Sequence, residues 1–177
     1  MDKAPLVKEP LSPEVDDVER ERRYRDVRGH LEALLEKESD WVAAMATVAC
    51  ELHNAFAYYQ WTGFYRVVPG RDELVVGPYQ GAHGCLRIPF HNGVCGTAAA
   101  SRETQLVDDV STFPGHIACS PTTRSEIVVP VLSGWGKLLA VLDVDSDTLA
   151  AFNRVDRREL EALCEWLGTH YEANALT

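Results

Sequence analysis

The segment from Glu126 to Asp145 restricts the fold more than any other part of the chain. EIVVPVL (126–132) and KLLAVLDVD (137–145) have the length and β-branched content of strands, and SGWG between them is a turn signal. Strands joined so closely pair antiparallel. With a regular four-residue loop, Leu132 faces Lys137, and counting back sets Glu126 opposite Asp143. Alternate residues share a strand face, so Asp143 and Asp145 point the same way, roughly 7 Å apart. Three carboxylates therefore converge at one end of the hairpin. Like charges directly across a sheet destabilise it. Such a cluster is tolerated if it faces water, binds a metal or receives a cation. A calcium loop of the EF-hand type fails on Asp143-x-Asp145-x-Asp147, because Thr148 stands where glycine is needed and Arg154 where glutamate is needed. An ammonium group held by Glu126, Asp143 and Asp145 remains a reading with direct chemistry behind it.

The rest of the chain frames this hairpin. Residues 1–13 carry Pro5, Pro10 and Pro13 and few apolar side chains, the pattern of a disordered tail. From Glu14 to about Lys37 a charge-rich stretch places Leu31, Leu34 and Leu35 at helical spacing. Asp40 is placed to cap a second helix, whose apolar positions Trp41, Met45, Val48, Leu52, Phe56 and Tyr59 recur at steps of three, four or seven. WTGFYRVV (61–68) and ELVVGPYQG (73–81) read as strands, TQLV (104–107) as a short one, and VCGTAAASR (94–102) as a short helix after Asn92-Gly93. A closing helix begins at Asn153 or Asp156 and aligns Leu160, Leu163, Cys164, Leu167 and Tyr171. Helices, a block of mostly antiparallel strands with one short helix inside it, then a helix: the class is α+β, a sheet with helices on one side.

Composition excludes several functions. The net charge is −10 over 177 residues, with no basic stripe, which argues against a nucleic-acid partner. The most apolar stretch, Trp41 to Cys50, is ten residues, about half of what crosses a bilayer. No signal-peptide pattern opens the chain. A reducing, cytoplasmic setting follows, in which five cysteines are not a structural disulfide framework.

The cysteines then divide. Cys164 lies on the apolar stripe of the last helix and reads as a core residue. Cys50 sits opposite the Trp41–Leu52 stripe, among alanines, and reads as a small packing residue. Cys85, Cys95 and Cys119 fall in the turn-rich stretches GAHGC, HNGVCG and PGHIACSP, each with a histidine two to four residues ahead: His83, His91 and His116. A Cys/His metal site is one reading, weakened by the lack of a CxxC or HxxxH pair. Thiol redox chemistry, one cysteine attacking and others resolving, is another. Trp61, Gly63 and Tyr65 share a face of the first strand, and Gly63 leaves room between the rings. Aromatic rings suit a thioether-like or methyl-bearing group. A pocket with an ammonium-binding end, an apolar wall and a nucleophilic sulfur makes a free, sulfur-bearing amino acid a natural ligand.

From about Trp61 to Leu167 the chain resembles the free methionine-(R)-sulfoxide reductases, which are GAF-domain enzymes. The motifs are WTGFY, GPYQG, CLRIPFxxGVCGTA, DDVxxFPGHIAC, RSEIVVP and VLDVDS, in the family's order. Past the tail, 14–177 is expected to be a single GAF-like domain that includes the N-terminal helices, and the resemblance implies an antiparallel sheet of about six strands flanked by helices, commonly as a homodimer. It implies that Cys119 attacks the substrate, that Cys85 is the main resolving cysteine and that Cys95 is a second or auxiliary one. It places substrate binding on Glu126, Asp143, Asp145, Trp61, Tyr65, Ile117 and Ala118. It implies thiol-dependent reduction of free L-methionine-(R)-sulfoxide through a sulfenic acid and a disulfide, with a thioredoxin-like protein as external reductant and no bound cofactor or metal. Two departures stand out: Ser120-Pro121 follows Cys119 where the family often has Asp, and the region before about Asp40 matches no family motif. The competing reading is a non-catalytic GAF sensor with redox-sensitive or metal-binding cysteines.

Overall fold

A computed structural model describes residues 9–115 and 120–175, with side chains to Tyr171. Helices α1 (Asp17–Leu35) and α2 (Trp41–Ala55) lead into β1 (Trp61–Val67), β2 (Glu73–Gln80) and β3 (Arg87–Pro89). Helix α3 (Gly93–Ser101), β4 (Gln105–Val107) and a single 3-10 turn (Val110–Thr112) follow. Then come β5 (Ser125–Leu132), β6 (Leu138–Ser146) and α4 (Arg154–Ala175). The strands form one antiparallel sheet in the order β3-β2-β1-β6-β5-β4. The α+β class and the six-stranded sheet expected from the sequence are both present.

Helix starts follow their side-chain caps. Asp16 accepts from the Glu19 amide at 2.8 Å and Asp40 from the Ala43 amide at 2.7 Å. At α4 the capping is reciprocal: Asn153 Oδ1 accepts from the Val155 amide at 2.7 Å, and the Asp156 carboxylate accepts from the Asn153 amide at 2.8 Å. Asp156 is fully buried and also receives Arg20, at 2.5 Å, and the hydroxyls of Tyr24 and Tyr58, both at 2.7 Å. One carboxylate thus ties α1 to the start of α4.

The sheet separates two cores. On one face α1, α2 and α4 pack on Phe64, Ile127, Val129, Val131, Leu142 and Val144. On the other, Trp61, Tyr65, Val128 and Val141 meet Val94, Cys95, Ala98 and Ala99 of α3. The expectation of helices on one side therefore needs correction: α3 covers part of the opposite face. It is short and rich in small residues, and the Gly96 backbone sits so close to β3 that a Cβ would lie 2.4 Å from the Pro89 carbonyl oxygen.

The hairpin register also needs correction. Glu126 pairs with Asp145, and Val128 with Asp143. The loop holds three residues rather than four, closed by the Ser133 amide on the Lys137 carbonyl with Gly136 at φ +75°. A bulge between Val131 and Leu132 adds a second one-residue slip. Two slips restore the face of every side chain, because strand side chains alternate with period two. The three carboxylates remain on one face.

Of the expected tail 1–13, residues 1–8 lie outside the described residues, and 9–13 are docked. Leu11 is buried and bridges Phe56: its amide donates to the Ala55 carbonyl, and its carbonyl accepts from the Ala57 amide, both at 2.8 Å. Arg20 and Arg23 anchor the same stretch through the carbonyls of Pro13 (2.8 Å) and Glu9 (2.9 Å). One buried leucine, two backbone bonds and two arginine side chains suffice to order a segment whose composition alone suggests disorder.

Candidate active site

The carboxylate face of the β5–β6 hairpin lies beneath α3. Glu126 enters from the start of β5, Asp143 and Asp145 from the end of β6, Tyr65 from β1 and Cys95 from the first turn of α3. Together they line a cavity of about 30 Å³, room for a couple of water-sized groups, inside a recess whose empty space, mouth included, is about 400 Å³. Asn92, Gly93, Val94, Ile88, Ser120 and Thr123 complete the wall. Among the described residues, no lysine or arginine lines it.

Glu126 and Asp143 are only 6% and 5% exposed. Burial in a site without a counter-cation favours their neutral forms. Asp143 is pushed up to about 7 by burial, with hydrogen bonds from Cys95 and Glu126 pulling the other way. Glu126 rises well above the carboxylate range through burial and then through Asp143 and Asp145, with its hydrogen bond to Asp143 adding to the rise and Cys95 opposing it. Asp145 is raised by burial and by Asp143, with the Thr123 side chain opposing. The Cys95 thiol, 3.9 Å from Glu126 Oε1, is raised by burial and then by Asp143 and Glu126. Asp143 Oδ1 is buried and has no hydrogen-bond partner among the described residues. Three carboxyl groups and a thiol thus crowd a site where burial opposes their charge, and no lysine or arginine among the described residues answers them.

The aromatic pair divides its work. Tyr65 lines the cavity. Trp61 stacks between Tyr65 and Tyr79, at 5.7 and 5.3 Å between ring centroids, and its Nε1 donates to the Ala82 carbonyl at 2.8 Å. Gly63 permits that stack: a Cβ there would sit 2.4 Å from the Tyr79 Cβ and 2.6 Å from the Trp61 ring. Gly84 rests against the Tyr65 hydroxyl and the Trp61 ring in the same way. The loop ending at Cys85 is thus moulded onto Trp61.

A GAF domain model matches residues 38–169. The chain is 38% identical over 140 residues to the free methionine-R-sulfoxide reductase of Escherichia coli, covering 79% of this chain and 83% of that one. It is 40% identical over 139 residues to the protein of the same name in Saccharomyces cerevisiae, covering 76% and 77%. The free methionine-R-sulfoxide reductase of Neisseria meningitidis, solved with its substrate, superposes with a TM-score of 0.83 at 44% identity, over 89% of this chain and 93% of that one. This chain belongs to the free methionine-(R)-sulfoxide reductase family.

Within that family, the site residues expected from the sequence fall in three groups. Glu126, Asp143, Asp145, Cys95 and Tyr65 come together at the cavity, and Trp61 stands behind Tyr65. Cys85 is half-buried at the edge of the aromatic cluster and is disulfide-bonded, whereas Cys50, Cys95 and Cys164 are free thiols. Cys119, Ile117 and Ala118 lie outside the described residues. Cys164 is core, as its helical position implied, and burial raises its thiol. His83 and His91 are exposed, and neither joins the one group of close-lying potential metal ligands among the described residues, Cys95, Glu126 and Asp143. Two contributors were not foreseen. Thr123 bonds Asp145, and the N-terminus of α3 faces the cavity with no side-chain cap from Asn92. The Asn92-Gly93 turn was the available signal for the second; Thr123 carried none. No helix among the described residues is long and apolar enough to cross a membrane.

Proposed function

We propose that this chain reduces free L-methionine-(R)-sulfoxide to L-methionine at the Glu126–Asp143–Asp145 cavity. The observation that carries the reading is the cation-deficient carboxylate cluster, buried beside Tyr65 in a member of this family. An α-amino acid meets both ends of the site: its ammonium neutralises the carboxylates, and its carboxylate suits the uncapped amides at the α3 N-terminus. A methionine inside a peptide has no ammonium group to offer, so selection for the free amino acid follows from the same charge balance.

The Cys119 thiolate attacks the sulfoxide sulfur. The oxygen needs a proton to leave, and a carboxylic acid kept neutral by burial supplies it; Asp143, poised near 7, and Glu126, raised by burial, are the donors at hand. Oxygen passes to the Cys119 sulfur as a sulfenic acid and methionine departs. The Cys85 thiol displaces water from the sulfenic acid to form a disulfide. An external dithiol protein of the thioredoxin type restores both thiols and carries away the two electrons' worth of oxidation. That Cys85 engages in a disulfide in this structure supports its resolving role. Cys95, a buried thiol held beside Glu126, is the auxiliary cysteine. No bound cofactor enters this scheme. We place the chain in the cytoplasm, as a homodimer.

The test is methionine release from the separated R and S epimers with dithiothreitol, wild type beside Cys119→Ser. The reading expects consumption of the R epimer alone and a dead variant. A folded wild type inactive on both epimers overturns it, and the chain is then a ligand-binding GAF module with redox-sensitive thiols.

A further inference from the structure

The carboxylate cavity has a second ligand chemistry written into it. Cys95 Sγ, a Glu126 oxygen and an Asp143 oxygen all lie within 4.8 Å of one another, and all three residues are buried. Their side chains come from α3, β5 and β6, so the three atoms form a tripod on rigid elements rather than a chance cluster on a loop. Asp143 Oδ1, on a residue only 5% exposed, finds no hydrogen-bond partner among the described residues. Among the described residues, no basic side chain lines the cavity to neutralise the group. We propose that, in the reduced protein, Cys95, Glu126 and Asp143 bind one zinc ion at the position that the substrate ammonium takes.

Distances support a small tetrahedral ion. Zinc bonds of about 2.3 Å to sulfur and about 2.1 Å to oxygen, at a tetrahedral angle, set sulfur and oxygen ~3.6 Å apart. Cys95 Sγ and Glu126 Oε1 are 3.9 Å apart, a few tenths from that value. The ligand set selects the metal. Calcium and magnesium take six or more oxygens and gain nothing from a thiol, whereas one thiolate and two carboxylates suit zinc, with a solvent molecule in the fourth position. The cavity of about 30 Å³ is large enough for an ion and a water, with the side chains closing on the ion by small shifts. On binding, the Cys95 thiol and whichever carboxyl is protonated release their protons to solvent. No electron transfer is involved. The ion is a competitor for the substrate site and not a cofactor.

Binding is read directly, without turnover, so its failure and the failure of the reductase reading are separate results. The full-length chain, reduced and stripped of metal, is titrated with Co2+ followed by absorption, and the bound cobalt is then displaced with Zn2+. We expect one Co2+ per chain with a single thiolate-to-cobalt charge-transfer band, and its loss on Zn2+ addition. Cys95→Ser removes the band, while Cys85→Ser and Cys50→Ser keep it. Asp143→Asn, which retains the thiol, weakens binding by about tenfold or more. Free methionine raises the apparent Kd. The inference is overturned if saturable binding is absent from the wild type, if the band survives in Cys95→Ser, or if Asp143→Asn binds as tightly as wild type while circular dichroism shows each variant folded.

Discussion

Asp143 is where the cost of the site is measurable. Its carboxyl moves from an ordinary 3.8 to about 7 on folding, because burial disfavours the charge. The folded state therefore binds the proton more tightly than the unfolded chain does, and stability must fall as pH rises. Below the unfolded value the two states bind it equally. Between there and about 7 each pH unit costs about 1.4 kcal/mol, so raising the pH from about 5 to about 8 removes about 3 kcal/mol. At roughly 2–4 °C per kcal/mol for a chain of this size, that is about 6–12 °C in Tm. The assay is thermal unfolding followed by circular dichroism from pH 5 to pH 8, wild type against Asp143→Asn, since an amide fills the same space and does not titrate. Glu126 and Asp145, also raised by burial, give both proteins a falling curve, and the wild type should fall more steeply than the variant by about 3 kcal/mol over this range, so that the two curves converge or cross as pH rises. Free methionine should recover more stability at the alkaline end, where its ammonium meets ionised carboxylates. Parallel curves for the two proteins would refute the argument, because the slope would then belong to other groups.

Other outcomes follow from single contacts. Gly63→Ala forces a Cβ into the Trp61–Tyr79 stack and should cost about 1–3 kcal/mol, read as a lower urea midpoint at unchanged slope. Trp61→Phe keeps a ring and removes the hydrogen bond to the Ala82 carbonyl; it should slow disulfide formation at Cys85, followed by thiol titration after one turnover, more than it raises KM. Asp156→Ala leaves Arg20 buried without its counter-charge and takes an acceptor from the Tyr24 and Tyr58 hydroxyls, so a loss of about 3–5 kcal/mol in denaturant unfolding is expected with the site itself untouched.

The site was more legible in the sequence than its geometry was. The strands β1, β2, β5 and β6 showed themselves through alternating or continuous apolar runs, and α2 and α4 through their caps and stripes. Strand β3 is three residues, Arg87–Pro89, too short for any periodicity to register. The placement of α3 on the far side of the sheet was hidden because its residues, Val94 and Cys95 among Gly, Ala, Thr and Ser, show no amphipathic stripe, and a helix of such small residues can pack on almost any face. Docking of Leu11 was hidden because a single bridge to Phe56 leaves no pattern along the chain.

The hairpin shows why the carboxylates were found in spite of a wrong register. Loop length and bulges depend on backbone geometry around Ser133–Gly136 that residue identity specifies only weakly, so the pairing slipped by two. The faces did not change, because faces depend on parity alone. Convergence of Glu126, Asp143 and Asp145 is therefore the sturdier inference, and contact between particular pairs the weaker one. The same distinction applies to the pocket wall. Shared strand parity put Trp61 and Tyr65 together, but only the stack with Tyr79 and the bond to Ala82 show that one ring faces the cavity while the other carries the loop that ends at Cys85. The cavity and the Cys85 loop thus share a single aromatic support. A substitution at Trp61 should accordingly be felt first in the thiol chemistry and only second in affinity.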